Sequence, residues 1–321
     1  MIADKIKNKA AALGYSGCGI IPSDVFSDHE KYLNARADKF PGSKNLYEPL
    51  YEFIKPPDEC RSIIVCVRGF TKYRLPESLN GRIGKTYLFD TRVTYSNDYR
   101  AREEFKAYIG TLGIKILPFT APSRWAAAKA GLGKFGRNCF IYHRAHGSNI
   151  KIEALAVDME LEYENPPEDT YLPGCEPSCH KCIEACPTGA LSGDYCMNHA
   201  KCITQFTTTA PYEDENENPE TGLWLYGCDV CQDVCPYNKN KFTETEDFPL
   251  LKELEEYLKP ENIINMDEET YLNVIYPRFW YAGKDGLWLW KANAMRLMIN
   301  SGDEKYQKII ENARNGGHMN V

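Results

Sequence analysis

Residues 175–191 read CEPSCHKCIEACPTGAL, with Cys175, Cys179, Cys182 and Cys186 followed at once by Pro187. Residues 228–240 read CDVCQDVCPYNKN, with Cys228, Cys231 and Cys235 followed by Pro236. Aligned on their prolines the two segments, which hold seven of the chain's thirteen cysteines, share the internal repeat CxxCxxxCP. The N-terminal stretch MIADKIKNKAAALGYSG has lysines but neither an apolar run of signal-peptide length nor a twin-arginine pair. It reads as a short amphipathic helix ended by Gly14, and the protein is expected in the cytoplasm. Disulfides do not persist there, so clustered cysteines point to metal binding or catalysis.

The repeat is the tail of the bacterial two-cluster ferredoxin signature, in which three closely spaced thiolates hold one cubane and the cysteine before proline reaches the other. In the first segment three residues rather than two separate Cys175 from Cys179, which a loop absorbs. The second lacks its first cysteine and has Trp224, Leu225 and Tyr226 in that region. A remote cysteine must replace it, and both Cys202 in KCITQF and Cys196 in DYCMNH are placed to do so. The resulting expectation is one [4Fe–4S] cluster on Cys175, Cys179, Cys182 and Cys235, and a second on Cys186, Cys202, Cys228 and Cys231. Zinc is the competing metal, but zinc ribbons have no use for a third CP cysteine in each knuckle. Cys18, Cys60, Cys66 and Cys139 stand singly and read as small buried hydrophobes.

The rest of the chain bounds the partners. A net charge of −7 argues against nucleic acid as the main partner, and no stretch is long and apolar enough for a membrane span. The acidic run YEDENENPE, 212–220, reads as a solvated loop. Before the cysteines, SGCGIIPSD, SIIVCVRGF, IKILPF, CFIYH and KIEALAVDMEL read as strands, and DVFSDHEKYLNARADKF, DYRAREEFKAYIGTLG and APSRWAAAKA as helices. After them come four helical stretches, in which Trp288, Trp290, Met295 and Met298 read as core. The fold class is α+β: a mixed-sheet α/β domain (1–165), a ferredoxin-like double [4Fe–4S] domain (166–242) and a small helical C-terminal cap (243–321). Two adjacent cubanes make a wire, and the large flanking regions are expected to hold its acceptor.

Gly131, Gly133 and Gly136 have the spacing GxGxxG of a dinucleotide-binding loop. That fingerprint requires a strand before the glycines and a helix after them; here a helix precedes and a strand follows. Two readings remain for the glycines: a helix stop, or a backbone that must lie close to some other flat ligand.

The order of α/β region, AGLGKFGRN, CHKCIEACPTGAL, KCITQFTT, YGCDVCQDVCPYN and WKANAMRLMIN resembles epoxyqueuosine reductase over about residues 80–300, and more distantly the catalytic core of reductive dehalogenases. The resemblance implies base-off cobalamin in the α/β domain, with Gly131, Gly133, Lys134, Phe135, Gly136 and Asn138 as its contacts and the clusters feeding electrons to cobalt. It further implies a low-potential electron donor of ferredoxin or flavodoxin type. One feature departs from the family: its proton-donating aspartate heads a D(S/T)(A/G)P segment, where this chain has FTAP and Phe119. A phenyl ring donates no proton. Tyr99 with Arg100, in DYR where the family has DYH, is the replacement considered, although Tyr87, Tyr95 and Tyr142 are not distinguishable from Tyr99 by sequence. His143 and His146 read as structural. The expectation is a cobalamin-dependent reductase of a small organic substrate that is not a standard epoxyqueuosine reductase. The alternatives are an electron-transfer protein that serves a corrinoid or other redox partner, and a flavin in the α/β domain.

Overall fold

A computed structural model describes residues 1–315 apart from 25, 164, 166, 168, 173, 174, 176, 177, 194 and 210–220. The acidic run at 212–220 lies outside the described residues. In chain order the first elements are α1 (Ile2–Ala12), β1 (Gly17–Pro22), α2 (Ser27–Lys39) and β2 (Ser62–Gly69). There follow α3 (Asn97–Thr111), α4 (Ser123–Lys129), β3 (Lys134–Phe135), β4 (Ile141–Tyr142) and β5 (Ile150–Val157).

All eight residues of β2 are buried, because it is the central strand of the sheet β1-β2-β5 and helices cover both faces. Its alternation separates two cores. Ile63, Val65 and Val67 face Ala126, Ala127 and Ala128 of α4, where small side chains let the helix lie close to the sheet. Ile64 and Cys66 face the other way, onto Ile6 and Ala10 of α1 and Phe105 and Ile109 of α3. The mixed sheet expected from sequence is corrected: both ladders of this sheet are antiparallel. An apolar run such as SIIVCVRG reports burial on two faces, which is commonest in parallel sheets but says nothing of the neighbour's direction. IKILPF likewise forms no strand among the named ladders, and contributes one antiparallel bridge, Ile116 to Val157.

The C-terminal helices share a core with an earlier segment. Trp290 on α5 (Leu287–Ser301) stacks on Tyr226 at 4.8 Å, and the cluster extends to Phe70, Tyr73, Phe89 and Val93. Met295 and Met298 are buried as expected, but Trp288 is half exposed. Two residues away from Trp290, it points from a different side of the helix. No helix among the described residues is long and apolar enough to cross a membrane.

Candidate functional site

Each cysteine segment folds the same way. Cys179 and His180 lead into a one-turn helix, Lys181–Glu184, that carries Cys182; Cys228 and Asp229 lead into Val230–Asp233, which carries Cys231. The two turns pack against each other. In both segments the chain then leaves the helix before its CP pair, as the residue preceding proline is pushed out of helical conformation; Cys235 is extended.

This geometry sorts the eight thiols into two sets. Cys175, Cys179, Cys182 and Cys235 line one cavity of about 670 Å3. Burial and the neighbouring Cys235, Cys175 and Cys179 push the Cys182 thiol up to about 11. Cys228 is pushed up to about 12 by burial, with Cys202 and Cys186 among the charges that bear on it. Cys231 is raised by burial and by Cys202 and Cys228. Cys202, which caps helix Ile203–Thr208, therefore stands with Cys186, Cys228 and Cys231. Cys196 lies elsewhere, beside Arg36 and Cys139. Among the described residues no three metal-ligating side chains converge on a single ion. A cubane asks for a wider spacing, because each thiolate binds a different corner iron.

The Gly-rich loop is largely occupied by its own surroundings. Gly131 ends α4 at φ +70°, the left-handed conformation that stops a helix. A Cβ on Gly133 would lie 2.4 Å from Ile141 Cγ2, and one on Gly136 2.7 Å from the Tyr142 ring, so both glycines permit the tight β3–β4 ribbon. Phe135 is buried against Trp125, and Lys134 pairs with Asp169 at 2.8 Å. Asn138 donates its amide to Tyr142 Oη (2.7 Å) and to the Cys231 carbonyl (2.9 Å). The faces of Gly133 and Gly136 are thus filled by the ribbon and the Asn138 amide is engaged, while Gly131 faces open space. Gly133→Ala is accordingly expected to cost about 1–3 kcal/mol by overpacking. Gly110→Ala in α3, where a Cβ meets nothing within 4 Å, should add about 0.5–1 kcal/mol. Chemical denaturation of the two variants measures both; a Gly133→Ala protein as stable as the parent would mean that the ribbon does not need this glycine.

Sequence reasoning passed over Arg137, between two of the named loop residues. Its buried guanidinium donates to the carbonyls of Gly193 (2.7 Å) and Cys179 (3.1 Å), tying the first cysteine loop to the ribbon. It also passed over Asp229, which is fully buried beside Cys228 and accepts from the Lys85 backbone at 2.7 Å, with Lys85 Nζ at 3.3 Å. The only sequence signal for Asp229 was a charged residue inside a motif whose chemistry is all sulfur, and for Arg137 a charged residue inside a Gly-rich loop. Tyr87 stands against Tyr281 at 6.0 Å and within reach of the charges of Cys202 and Arg124; burial raises its hydroxyl. His199, stacked on Tyr47, is pushed down to about 4 by burial and by the charges of Arg36 and Arg124.

The structure places Tyr99 and Arg100 in the first turn of α3. Arg100 is exposed, with its guanidinium 3.2 Å from the Tyr95 carbonyl, and the Tyr99 amide caps on Ser96. The buried member of that segment is Asp98 instead. Phe119 packs at the edge of the α4 core. His143 and His146 stack on each other at 5.2 Å, and both ring nitrogens of His146 are engaged by Ser16 and Thr71.

Comparison with known proteins bears on this arrangement. A family model described as 4Fe-4S double cluster binding domain matches residues 175–238. The epoxyqueuosine reductase of Cellulophaga algicola is 30% identical over 270 residues, covering 77% of this chain and 82% of its own length. The chain belongs to the epoxyqueuosine reductase family. The epoxyqueuosine reductase of Staphylococcus aureus is 38% identical over 269 residues, covering 78% of this chain and 67% of its own. The solved epoxyqueuosine reductase of Streptococcus thermophilus has the same fold, with a TM-score of 0.74 at 20% identity, over 99% of this chain and 86% of that one. The double-cluster domain thus sits in an iron–sulfur reductase family, which decides between cubanes and zinc for the cysteine segments.

Proposed function

We propose that the chain is an iron–sulfur reductase in which Cys175, Cys179, Cys182 and Cys235 hold one [4Fe–4S] cluster and Cys186, Cys202, Cys228 and Cys231 the other. The observation that supports this is that Cys235 lines one cavity with Cys175, Cys179 and Cys182, while Cys186 and Cys202 stand near Cys228. When bound, the clusters supply one-electron transfer at low potential. The chain's own residues hold and insulate them. Arg137 fixes the first loop through its carbonyls and brings a positive charge to a site that becomes more negative on reduction. Asn138 and Tyr142 bridge the two sets. Lys85 offsets the charge of Asp229 where burial would otherwise leave a carboxylate alone.

The acceptor is proposed to be a small molecule bound on the side of Cys202, near Tyr87, Tyr281 and Arg124. The family resemblance names it as cobalamin that in turn reduces a substrate. The cobalamin reading rests on the resemblance; of the loop residues it names, Gly131 faces open space, whereas Gly133, Gly136 and Asn138 are engaged within the chain. The relatives are named for epoxyqueuosine; Phe119 in FTAP, where the family has its acid, favours a different substrate here, as does the net charge of −7.

The test is protein purified without air, reconstituted with iron and sulfide, and then offered cobalamin. About eight irons per chain and stoichiometric base-off corrin bands in the absorption spectrum are expected. Retention of about eight irons with repeated failure to hold cobalamin would remove the corrin and leave an electron-transfer protein. About four irons or fewer would overturn the two-cluster assignment itself.

A further inference from the structure

Cys18 and Cys66, each single in sequence, stand opposite each other in the fold. The β1–β2 register pairs them directly, between Gly17 with Val67 and Gly19 with Val65. Directly opposed residues share a face of the sheet, here the face packed against α1 and α3. The kind of pair follows from the neighbouring ladder. The Phe70 amide donates to the Asn149 carbonyl at 3.1 Å, in register with the β2–β5 pairing. Counting back by twos, the backbone groups of Arg68 and Cys66 also point to β5, so Cys66 exchanges no backbone hydrogen bond with Cys18. Such non-hydrogen-bonded pairs hold their Cα atoms about 4.5 Å apart, with the side chains at closest approach. A disulfide takes Cα spacings of about 4.4–6.8 Å, so the strands need not move apart to accept one. The Cys18 side chain is within hydrogen-bonding reach of the Cys66 sulfur. On the opposite face of β1, a Cβ on Gly17 would lie 2.9 Å from Leu132 Cδ2 and one on Gly19 3.0 Å from Ala130, so the strand is seated against the end of α4 and its register is held. Access differs between the two thiols: Cys18 is partly exposed, whereas Cys66 is 1% exposed. The nearby Glu153 is engaged by Tyr15 Oη (2.8 Å) and Arg102 Nε (2.7 Å), and among the described residues no third metal-ligating side chain joins the pair.

We propose that Cys18 and Cys66 form a dithiol modification site, which a small disulfide such as oxidised glutathione converts to a cross-strand disulfide. Cys18, the accessible member, attacks as thiolate. Its sulfur bonds to one glutathione sulfur, the S–S bond of the oxidant breaks, and one glutathione leaves. Cys66 then attacks the Cys18 sulfur as thiolate, closing the Cys18–Cys66 bond and releasing the second glutathione. The two cysteine sulfurs lose two electrons to the oxidant, and their two protons end on the two glutathione thiols released. Burial raises the Cys66 thiol, so it resolves the exchange rather than starting it. Reduction reverses the bond, which is therefore transient wherever thiols are kept reduced. The inference does not depend on the cluster assignment, because neither thiol belongs to either set.

Its test treats the reconstituted holoprotein, without air, with excess oxidised glutathione. The remaining thiols are then alkylated as the protein is unfolded, and the peptides are mapped by mass spectrometry. The expected product is one internal disulfide joining the peptides of Cys18 and Cys66, with both thiols lost to alkylation in equal measure. Iron should stay as in the untreated protein, and dithiothreitol should restore both thiols. Cys66→Ser should stop at a glutathione adduct on Cys18, and Cys18→Ser should slow the loss of the free Cys66 thiol at least about tenfold. If the parent protein keeps both thiols, or carries glutathione on Cys18 with Cys66 free, the site is overturned, and that outcome needs neither variant to fold. If iron is lost before the Cys18–Cys66 bond appears, the oxidant is acting on thiols at large and the site is likewise overturned. An iron content of about four in the untreated protein would count against the two-cluster reading and leave this test unaffected.

Discussion

Replacing Asp98 with alanine is expected to remove about 3–5 kcal/mol of folding stability. Asp98 and Arg68 are 2% and 5% exposed, with Oδ1 to Nη1 at 3.4 Å, so neither charge can fall back on water. The other carboxylate oxygen accepts from Tyr73 Oη at 2.8 Å. Arg68 also donates to the carbonyls of Leu13 (2.9 Å) and Gly14 (3.2 Å) and lies over the Tyr15 ring at 4.2 Å. The alanine variant leaves a buried guanidinium facing carbonyls and a ring with no anion, and a buried phenol with no acceptor. Asp98→Asn should cost less, since its amide oxygen still accepts from Tyr73. Arg100→Ala, at an exposed position two residues on, should change stability by no more than about 0.5 kcal/mol. Denaturant unfolding of the three reconstituted variants decides; a loss below about 1 kcal/mol for Asp98→Ala would show that the pair does not anchor α3 to β2. Should Arg100→Ala abolish turnover at full stability, the reactive role considered for the DYR segment would return.

That segment shows where sequence stops being sufficient. DYR offers three polar residues in a row, and the choice of Tyr99 and Arg100 rested on chemical type. The burial of Asp98 depends on Arg68, on a strand thirty residues earlier, and no local pattern reports it. The glycines tell the same story. Their order after a helix was enough to reject a dinucleotide loop, because that argument concerns local dihedrals and helix polarity. Their purpose was not legible, because Ile141 and Tyr142, which press on Gly133 and Gly136, reach them only through the pairing of β3 with β4. The strands of the main sheet could be read from apolar runs, but their antiparallel direction could not. The cysteine segments were the most readable part of the chain. Ligand spacing is imposed by the inorganic core rather than by the fold, so it survives as a pattern in one dimension. Even there the sequence, which assigned Cys202, left Cys196 open as the alternative, since both lie at a similar remove from the second segment.

Cys235→Ser gives the sharpest expected loss at the site. Sequence proximity would make Cys235 a partner of Cys228 and Cys231, seven and four residues before it. The structure puts it on the cavity of Cys175, Cys179 and Cys182 instead. Removing its thiolate should therefore dismantle the distant cluster and spare the near one, lowering iron from about eight to about four per chain. Cys186→Ser should do the converse, and Cys202→Ser should strike the same cluster as Cys186→Ser. Cys196→Ser, beside Arg36 and away from both sets, should leave about eight irons. Iron analysis with electron paramagnetic resonance of the reduced protein separates these cases, because the surviving cluster must be identified as well as counted. Paired variants make the reasoning strict: Cys235→Ser combined with Cys175→Ser should lose no more iron than either alone, whereas Cys235→Ser with Cys228→Ser should lose both clusters. If Cys235→Ser with Cys228→Ser retained about four irons, the two cysteines would share one cluster, and the exchange of CP ligands between the segments would be refuted. If the exchange holds, neither segment can complete a cluster alone, and assembly of each centre requires the packing of Lys181–Glu184 against Val230–Asp233.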